Sequence, residues 1–183
     1  MTSTSSVEFN GQVVVISGAA TGIGKACAHL IAARGATVIA LDFNAAALTD
    51  LSKELSLAAN QSHVCDISSQ DQIDKAISSI LKDHGKIDAL VNTAGIVGPS
   101  NTVVEDVNWP DFEKVLQVNL YGAIWLTQAV IPSMKDKKYG RIVHLSSIAG
   151  KEGNPGLSPY NTSKAGMIGF VKGVAKEVAP HGV

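Results

Sequence analysis

The sequence predicts a doubly wound α/β domain, in which helices cover both faces of a parallel sheet. Two observations support this fold class. Short apolar runs alternate along the chain with longer stretches of helical periodicity. The runs are also apolar on both faces, as strands buried on two sides are. The length of 183 residues favours a single domain over 1–183, because one domain usually spans about 100–200 residues.

Five runs qualify as buried strands by their length and β-branched composition. They cover residues 13–16, 37–41, 62–65, 87–91 and 142–145. The helical stretches that alternate with them cover 24–33, 45–57, 69–83, 112–135 and 160–178. Ser68 and Asp71 resemble a capping box at the start of the third helix. The long loops 95–101 and 146–159 follow strand ends, where sheets of this kind bind ligands.

The composition disfavours several classes of protein. Charged residues make up 17% of the chain, with 15 basic against 16 acidic side chains, which disfavours disorder and a nucleic-acid-binding surface. No apolar run approaches the ~20 residues of a membrane span, and residues 1–10 have neither the positive region nor the apolar region of a signal peptide. We therefore expect a cytoplasmic protein with a disordered start at 1–8 and with neither nucleic acid nor membrane as a partner. Cys27 and Cys65 are too few for a disulfide framework.

A glycine-rich turn joins the first predicted strand to the first helix, with glycines at 18, 22 and 24. Bare amides at the positive end of a helix form a phosphate site. The spacing is not that of a P-loop, because five residues separate Gly18 from Gly24 and Ala26 replaces the hydroxyl residue. The G-x-G-x-x-G pattern also fails, because Cys27 occupies its last position. The remaining Gly-x-x-x-Gly-x-Gly indicates a nucleotide site, with a plain tight turn as the alternative.

Asp42 lies at the end of the second predicted strand, about 20 residues past the glycine loop. A carboxylate there can accept hydrogen bonds from both hydroxyls of an adenosine ribose, and it repels a 2′-phosphate. Thr21, Phe43 and Asn44 supply no positive charge for such a phosphate. The predicted cofactor is therefore NAD and not NADP. The alternative role for Asp42 is to cap the next helix.

Tyr160 and Lys164 lie four residues apart at the start of the last predicted helix, so they share a face. A fixed ammonium beside a tyrosine favours the phenolate, and such a hydroxyl can exchange a proton with an alcohol oxygen near neutral pH. Ser147, at the end of the fifth predicted strand, could hydrogen-bond the same oxygen. The alternative is an exposed helix pair without a chemical role.

Together these motifs resemble the short-chain dehydrogenase/reductase family, and the resemblance runs from Phe9 to the last residue. Residues 17–24 are similar to the family's Thr-Gly-x-x-x-Gly-Ile-Gly loop, with serine in place of threonine. Residues 92–95 resemble the family's Asn-Asn-Ala-Gly, with threonine replacing the second asparagine. Ser147 precedes Tyr160 by thirteen residues, as in the family pattern. The resemblance implies a Rossmann-like fold.

The resemblance also implies further site residues. Asp66 matches the family's aspartate that contacts adenine, and its alternative is a turn residue. Asn119 matches the family's active-site asparagine, and its alternative is a polar side chain bonded back to its own helix. The 92–95 motif is expected mainly to support the centre of the sheet. The full set of expected cofactor-binding residues is Gly18, Thr21, Gly22, Ile23, Gly24, Asp42, Asp66, Asn92, Ala94, Gly95, Tyr160 and Lys164.

The implied function is that of an NAD(H)-dependent oxidoreductase that interconverts a secondary alcohol and a ketone by hydride transfer. In the implied roles, Tyr160 is the general acid/base, and Lys164 supports it and holds the nicotinamide ribose. Ser147 orients the substrate oxygen, and Asn119 holds a water of the proton relay. No metal is implied. The histidines show no ligand spacing and are expected at the surface or at helix ends; they are His29, His63, His84, His144 and His181.

Two classes of small-molecule substrate are compatible with the sequence. The polar loop 151–157 is compatible with a sugar acid or a polyol, while the chain as a whole is also similar to 3-oxoacyl-carrier-protein reductases. Members of the family commonly form tetramers, which implies a homodimer or homotetramer through helices 112–135 and 160–178.

The family pattern continues beyond Val183 with a further strand, a Pro-Gly turn against the nicotinamide, a substrate lid and a last strand. We therefore expect a C-terminally incomplete family domain in which strand 142–145 becomes an apolar edge. Such a chain alone is expected to bind NAD weakly and to turn over poorly. The alternative function is a catalytically impaired form that acts as a dinucleotide-binding or oligomerisation partner, and such a form would lose no function with Tyr160→Phe.

Overall fold

The computed structural model describes residues 8–183. Its strands are all parallel and form one sheet in the order β3-β2-β1-β4-β5, which confirms the predicted fold class. Residues 1–7 of the expected disordered start lie outside the described residues, while Glu8 pairs with Arg34 at 3.0 Å. The strands are β1 (Val13–Ser17), β2 (Thr37–Asp42), β3 (Ser62–Val64), β4 (Ala89–Asn92) and β5 (Arg141–His144).

The helices cover both faces of the sheet. The first three and the last agree with the predicted stretches to within two residues at each end. α2 stops early because Ser56 turns left-handed at φ +51°, and α3 stops at Gly85, where φ is +73°. The helices are α1 (Gly22–Ala33), α2 (Ala45–Leu55), α3 (Gln70–His84), α4 (Trp109–Leu116), α5 (Gly122–Lys137), α6 (Ala149–Glu152) and α7 (Ser158–Val178).

The predicted capping box is wrong by one residue. Ser69 is the N-cap of α3, and its Oγ accepts a hydrogen bond from the Gln72 N–H at 3.4 Å. Ser68 instead donates to Asp66 Oδ1, from its backbone N–H at 2.9 Å and from its hydroxyl at 2.8 Å. Asp71 then pairs with Lys75 one helical turn further on. The residue that caps α3 is therefore Ser69, and Ser68 belongs to the turn that Asp66 holds.

The predicted helix 112–135 is longer than expected and is interrupted. It begins at Trp109, where the Asn108 side chain caps it, and a π-helical turn, Gln117–Tyr121, separates α4 from α5. A π-turn inserts one extra residue into a helix and is often found at functional sites. The predicted loop 146–159 is also corrected, because it contains the short helix α6 and ends where α7 begins.

The alternating side chains of β1 divide the core into two clusters. Val13 and Val15 pack on one face with residues of α3 and α5, including Ile73, Ile80 and Leu126. Val14 and Ile16 pack on the other face with residues of α1 and α2, including Ala28, Leu48 and Leu51. Because each fully buried aliphatic side chain stabilises the fold by about 1.5–3 kcal/mol, β1 fixes both helical layers around the sheet.

β3 and β5 form the two edges of the sheet. Val143 on β5 is 51% exposed, so the strand predicted over 142–145 does lie at an edge with an apolar side chain on its surface. Across residues 8–183, none of the helices combines the length and the apolar character that a membrane span requires.

Candidate active site

The glycine loop connects the carboxyl end of β1 to the start of α1. Gly18 and Gly22 have positive φ values of +70° and +53°, which glycine adopts without strain. In the described part of the chain, Thr21 makes no side-chain cap bond to α1, and the first turn of α1 holds no acidic residue. The first N–H groups and the positive end of α1 are therefore available to an anion.

Close packing requires glycine at two positions of this loop. A Cβ at Gly18 would lie 2.8 Å from the backbone nitrogen of Ala94. A Cβ at Gly24 would collide with the carbonyl oxygen of Gly18 and with Thr93 Oγ1. The Thr93 hydroxyl donates to the Ser17 carbonyl at 2.8 Å. The loop is thus clamped against the residues that follow β4, which brings two predicted motifs together.

Asp42 is 6% exposed at the end of β2. Its Oδ2 accepts from the Ala20 N–H and its Oδ1 from the Asn44 N–H, both at 2.9 Å. Asp42 is not the helix cap considered above, because Asn44 caps α2 by accepting from the Ala47 N–H at 3.1 Å. Each carboxylate oxygen keeps a further lone pair, so Asp42 can hold the loop and still accept ribose hydroxyls.

A cleft of about 840 Å³ lies at the carboxyl ends of β1, β2 and β4, within the usual size range of ligand sites. Asp66 is exposed in it while binding Ser68, so its turn role does not remove it from the site. An amide-lined helix end and a buried carboxylate in one cleft fit the phosphates and ribose of a dinucleotide. The predicted cofactor residues that line it are Gly18, Thr21, Gly22, Ile23, Gly24, Asp42, Asp66, Ala94 and Gly95.

Asn119 lies in the π-turn and is 1% exposed. Its Oδ1 accepts from the Ile96 N–H and its Nδ2 donates to the Ile96 carbonyl, both at 2.8 Å. Nδ2 also donates to Ser163 Oγ at 3.0 Å. These bonds run to the loop after β4 and to α7 rather than back to its own helix, so Asn119 joins three segments at the site.

Lys164 is 5% exposed in α7. Its Nζ donates to the Leu145 carbonyl at 2.7 Å and lies 5.6 Å from the centroid of the Tyr160 ring. Burial lowers the pKa of Lys164, because a low-dielectric environment disfavours the charged ammonium. A Cβ at Gly95 would lie 3.5 Å from Lys164 Nζ and 3.2 Å from Asn119 Oδ1. The bare backbone at Gly95 therefore leaves both side chains next to the cleft.

Ser147 lies on the segment between β5 and α6. Its Oγ accepts from the Ala149 N–H at 3.2 Å, and the neighbouring Ser146 hydroxyl donates to the Lys164 carbonyl at 2.9 Å. A Cβ at Gly150 would lie 2.7 Å from that same carbonyl oxygen. These contacts hold the Ser147 segment against α7, one helical turn from Tyr160.

The predicted site residues form two adjoining groups. Tyr160, Lys164, Asn119 and Ser147 are not among the residues that line the cleft, and Lys164 and Asn119 lie next to Gly95, which does line it. Asn92 also lies outside it and is 3% exposed within the sheet, where its Oδ1 accepts from Ser17 Oγ at 2.5 Å. The side chain of Asn92 therefore supports the sheet, as expected for its motif, and does not face the cleft. Residues 8–183 contain no cluster of three or more potential metal ligands.

The position of His144 differs from the expected surface or helix end. The ring lies between Asn92 Nδ2, at 3.2 Å from Nδ1, and Thr127 Oγ1, at 2.8 Å from Nε2. Burial lowers the pKa of His144 to about 4, and the Lys164 charge adds to this effect. The signal was present in the sequence, because residue 144 falls inside a predicted buried strand, where a polar side chain needs partners.

The fold is that of a dinucleotide-binding α/β domain. A family model described as short chain dehydrogenase matches residues 12–183. The chain belongs to the short-chain dehydrogenase family.

Similar proteins include two enzymes that share 39% identity with this chain. One is the 3-oxoacyl-acyl-carrier-protein reductase of Thermotoga maritima, matched over 97% of this chain and 72% of its own length. The other is the 2-dehydro-3-deoxy-L-rhamnonate dehydrogenase (NAD⁺) of Sphingomonas sp. strain SKA58, matched over 96% of this chain and 69% of its own length. The crystal structure of an NAD⁺-bound xylitol dehydrogenase superposes with a TM-score of 0.88 at 36% identity, covering 95% of this chain and 67% of that one.

Proposed function

We propose that this chain is an NAD(H)-dependent oxidoreductase that interconverts a secondary alcohol and a ketone. The observation that carries the proposal is the Lys164 ammonium, which is buried between the Leu145 carbonyl and the Tyr160 ring beside Gly95. Asp42 supports NAD over NADP, because its carboxylate can accept from ribose hydroxyls and repels a 2′-phosphate. The NAD⁺ named for a similar dehydrogenase and bound in a similar structure agrees with this choice.

In this proposal a bound nicotinamide supplies or accepts the hydride. Tyr160 gives a proton to the substrate oxygen during reduction and takes one from it during oxidation. Lys164 supports this role from its position 5.6 Å from the centroid of the Tyr160 ring. Ser147 donates a hydrogen bond to the substrate oxygen, and Asn119, fixed by its bonds to Ile96, holds a water that connects this group to solvent.

In this proposal, the cleft residues contact the adenosine and pyrophosphate parts of the cofactor, and the group around Lys164 contacts its nicotinamide part. The amides at the start of α1 take the pyrophosphate, Asp42 takes the adenosine ribose, and Asp66 lies beside the adenine. Lys164 reaches the nicotinamide ribose from behind Gly95. Ala94 and Gly95 line the cleft between these ends, and Asn92 acts through the sheet beneath them.

The substrate class is proposed as a sugar acid or polyol, or a 3-oxoacyl thioester. The sugar-acid and xylitol dehydrogenases among the similar proteins support the first class, and the acyl-carrier-protein reductase supports the second. The loop 151–157, which precedes Tyr160 in the chain, is polar and mostly exposed. The Asn161 side chain bonds the Asn154 backbone at 2.7 and 3.2 Å, and the Thr102 N–H donates to the Gly156 carbonyl at 3.3 Å. A polar loop at the substrate entrance would favour a hydroxylated substrate.

We also propose a cytoplasmic homodimer or homotetramer that assembles through the predicted helices 112–135 and 160–178. Exposed apolar side chains on these stretches support it, since Val171 is 40% exposed and Tyr121 is 37% exposed. Sedimentation equilibrium of the purified chain tests the assembly, and a monomer at all concentrations would contradict it.

The cofactor is tested by titrating the chain with NADH and with NADPH while following the fluorescence of Trp109 and Trp125. We expect saturable NADH binding with a Kd at least about tenfold lower than for NADPH, since about 1.4 kcal/mol of charge repulsion suffices. Equal affinity for the two would contradict the role of Asp42.

The chemistry is tested with Tyr160→Phe in a screen of polyols, sugar acids and 3-hydroxyacyl thioesters. We expect turnover to fall at least about 100-fold while NADH binding persists. Tyr139→Phe is the matched control, because Tyr139 lies against Arg141 at 4.8 Å, outside the site. A wild-type chain that binds NADH but oxidises none of these alcohols would instead support a dinucleotide-binding protein.

A further inference from the structure

A row of hydrogen-bonded polar side chains crosses the sheet beneath the site, and the proposed chemistry does not use it. It begins at Ser17 on β1, whose Oγ donates to Asn92 Oδ1. Asn92 Nδ2 then meets His144 Nδ1 at 3.2 Å, and His144 Nε2 meets Thr127 Oγ1 at 2.8 Å. The row ends where the Thr127 hydroxyl donates to the Ala123 carbonyl at 2.7 Å.

The donors and acceptors of these contacts fit the following assignment of the hydrogens. The Thr127 hydroxyl proton is used on Ala123, so Thr127 Oγ1 accepts from an N–H at His144 Nε2. Asn92 Oδ1 accepts from Ser17, so the Asn92 amide nitrogen donates to an unprotonated His144 Nδ1. The imidazole is therefore neutral with its proton on Nε2, and every donor in the row points from the sheet towards α5.

The groups that surround the ring also favour its neutral form. β4 presents Asn92, α5 presents Thr127, and α7 presents Phe170, with its ring 6.3 Å away, and Lys164. Of the described residues that pack there, none offers a carboxylate to an imidazolium. A proton on Nδ1 would place an N–H against the amide N–H of Asn92 and add a second positive charge near Lys164.

The row reaches the catalytic group through the residue that follows His144. Asn92 pairs with His144 in the β4–β5 register, and its carbonyl accepts from the Leu145 N–H at 3.1 Å. The Leu145 carbonyl in turn accepts from Lys164 Nζ at 2.7 Å. Among the described residues β5 pairs with β4, and the His144 side chain adds a contact from β5 to Thr127 of α5.

We propose that His144 is a positioning residue for Lys164. Its neutral imidazole, bonded between Asn92 and Thr127, fixes the end of β5 so that the Leu145 carbonyl holds the Lys164 ammonium beside Tyr160. This inference rests on the proposed function, because its consequence for turnover requires Lys164 to act in catalysis.

Three substitutions of His144 separate the contributions of its two hydrogen bonds, one to Asn92 and one to Thr127. His144→Asn keeps an acceptor at the Nδ1 position and loses the bond to Thr127, whereas His144→Gln keeps a donor near Nε2 and loses the bond to Asn92. His144→Phe keeps a ring and loses both. The matched control is His63→Gln, since His63 lies on β3 and its Nε2 bonds the Asn60 carbonyl at 3.2 Å, away from the site.

The first measurement follows Lys164 itself, by carbon-13 NMR titration of its Cε. In the wild-type chain we expect titration below the usual lysine range, and in His144→Phe we expect the midpoint to rise by at least about half a pH unit as the buried ammonium gains solvent. In His144→Asn and His144→Gln, the Lys164 midpoint should lie between those of the wild type and His144→Phe. In His63→Gln it should match the wild type. An unchanged Lys164 midpoint in His144→Phe would overturn the proposal, even if that variant were less stable.

The second measurement is turnover with a substrate found in the alcohol screen. We expect kcat to fall about tenfold in His144→Phe and less in the single-bond variants, consistent with a displaced but still present acid–base partner. A kcat equal to that of the wild type would overturn the positioning role. Failure of the wild-type chain to turn over any alcohol would contradict the proposed function, while the NMR result would still decide whether His144 positions Lys164.

Discussion

Replacing Lys164 by methionine separates the stability of the fold from its chemistry. The substitution keeps an unbranched side chain at a site that is 5% exposed and removes the ammonium. Loss of the ammonium removes the charged hydrogen bond to the Leu145 carbonyl, which is 2.7 Å long. Such a bond contributes about 1.5–3 kcal/mol to stability. The change also removes the cost of burying a charge, which is several kcal/mol per ion and partly compensated by that bond.

These two effects oppose one another, so we expect the free energy of unfolding to change by less than about 2 kcal/mol. For a domain of this size, that limits the change in Tm to about 8 °C. Turnover should fall at least about 100-fold, because the partner of the proposed acid/base is gone. Differential scanning calorimetry and initial rates with a substrate from the alcohol screen measure the two quantities. Lys172→Met, at an exposed position of the same helix, is the control and should change neither.

The pH dependence of stability adds an independent check. Burial lowers the pKa of Lys164 in the folded chain, so at pH values between its folded and unfolded pKa the unfolded chain binds more protons. Stability contributed by Lys164 therefore rises with pH through that window and is lost as pH falls through the folded pKa. Lys164→Met should lack this rise in urea unfolding. Turnover within about threefold of the wild type, in a variant that keeps its Tm, would refute the assigned role.

Three further predictions follow from other contacts. Gly24→Ala should destabilise the chain by about 1–3 kcal/mol in thermal unfolding through its collision with the Gly18 carbonyl, whereas Gly169→Ala, with no atom within 4 Å of the new Cβ, should stabilise it by about 0.5–1 kcal/mol. Asp42→Asn should bring the NADPH and NADH dissociation constants at least about tenfold closer together in fluorescence titration. Because the folded pKa of His144 is about 4, up to about 3 kcal/mol of stability should be lost between pH 6.5 and 4, and urea unfolding should show a smaller loss in His144→Phe.

The sequence was sufficient to predict the sheet, because each strand carries its own apolar run and each helix its own periodicity. The ends of the elements were less predictable, since they depend on single residues that adopt the left-handed conformation, such as Ser56 and Gly85. The π-turn at Gln117–Tyr121 left no signal in the periodicity, because the helix continues on both sides of it. Tertiary bonds from Asn119 to Ile96 accompany it, and such bonds are not readable from local sequence.

In the candidate site, too, some features could be predicted from local sequence and others depend on tertiary contacts. Spacing, together with the family resemblance, selected the glycine loop, Asp42 and the Tyr160–Lys164 pair as candidates. The glycines of the loop and Asp42 line the cleft. The partners of each side chain were not predictable, because several acceptors compete for the same donors. Asp66 accepts from the N–H and the hydroxyl of Ser68, and the neighbouring Ser69 caps α3.

The two groups of the site are joined mainly by backbone contacts that glycine permits. Gly18 and Gly24 let the loop approach the end of β4, Gly95 leaves Lys164 and Asn119 beside the cleft, and Gly150 lets α6 lie on the Lys164 carbonyl. Beneath these contacts, the row of polar side chains that contains His144 connects β1, β4, β5 and α5. A substitution at Gly18 or Gly24 would therefore move the backbone of the cofactor-binding group, and one at Gly150 would move α6 against the Lys164 backbone, whereas a substitution at Tyr160 would change the chemistry alone. This difference gives a way to classify variants: loss of NADH binding together with turnover indicates a displaced backbone, and loss of turnover alone indicates a lost functional group.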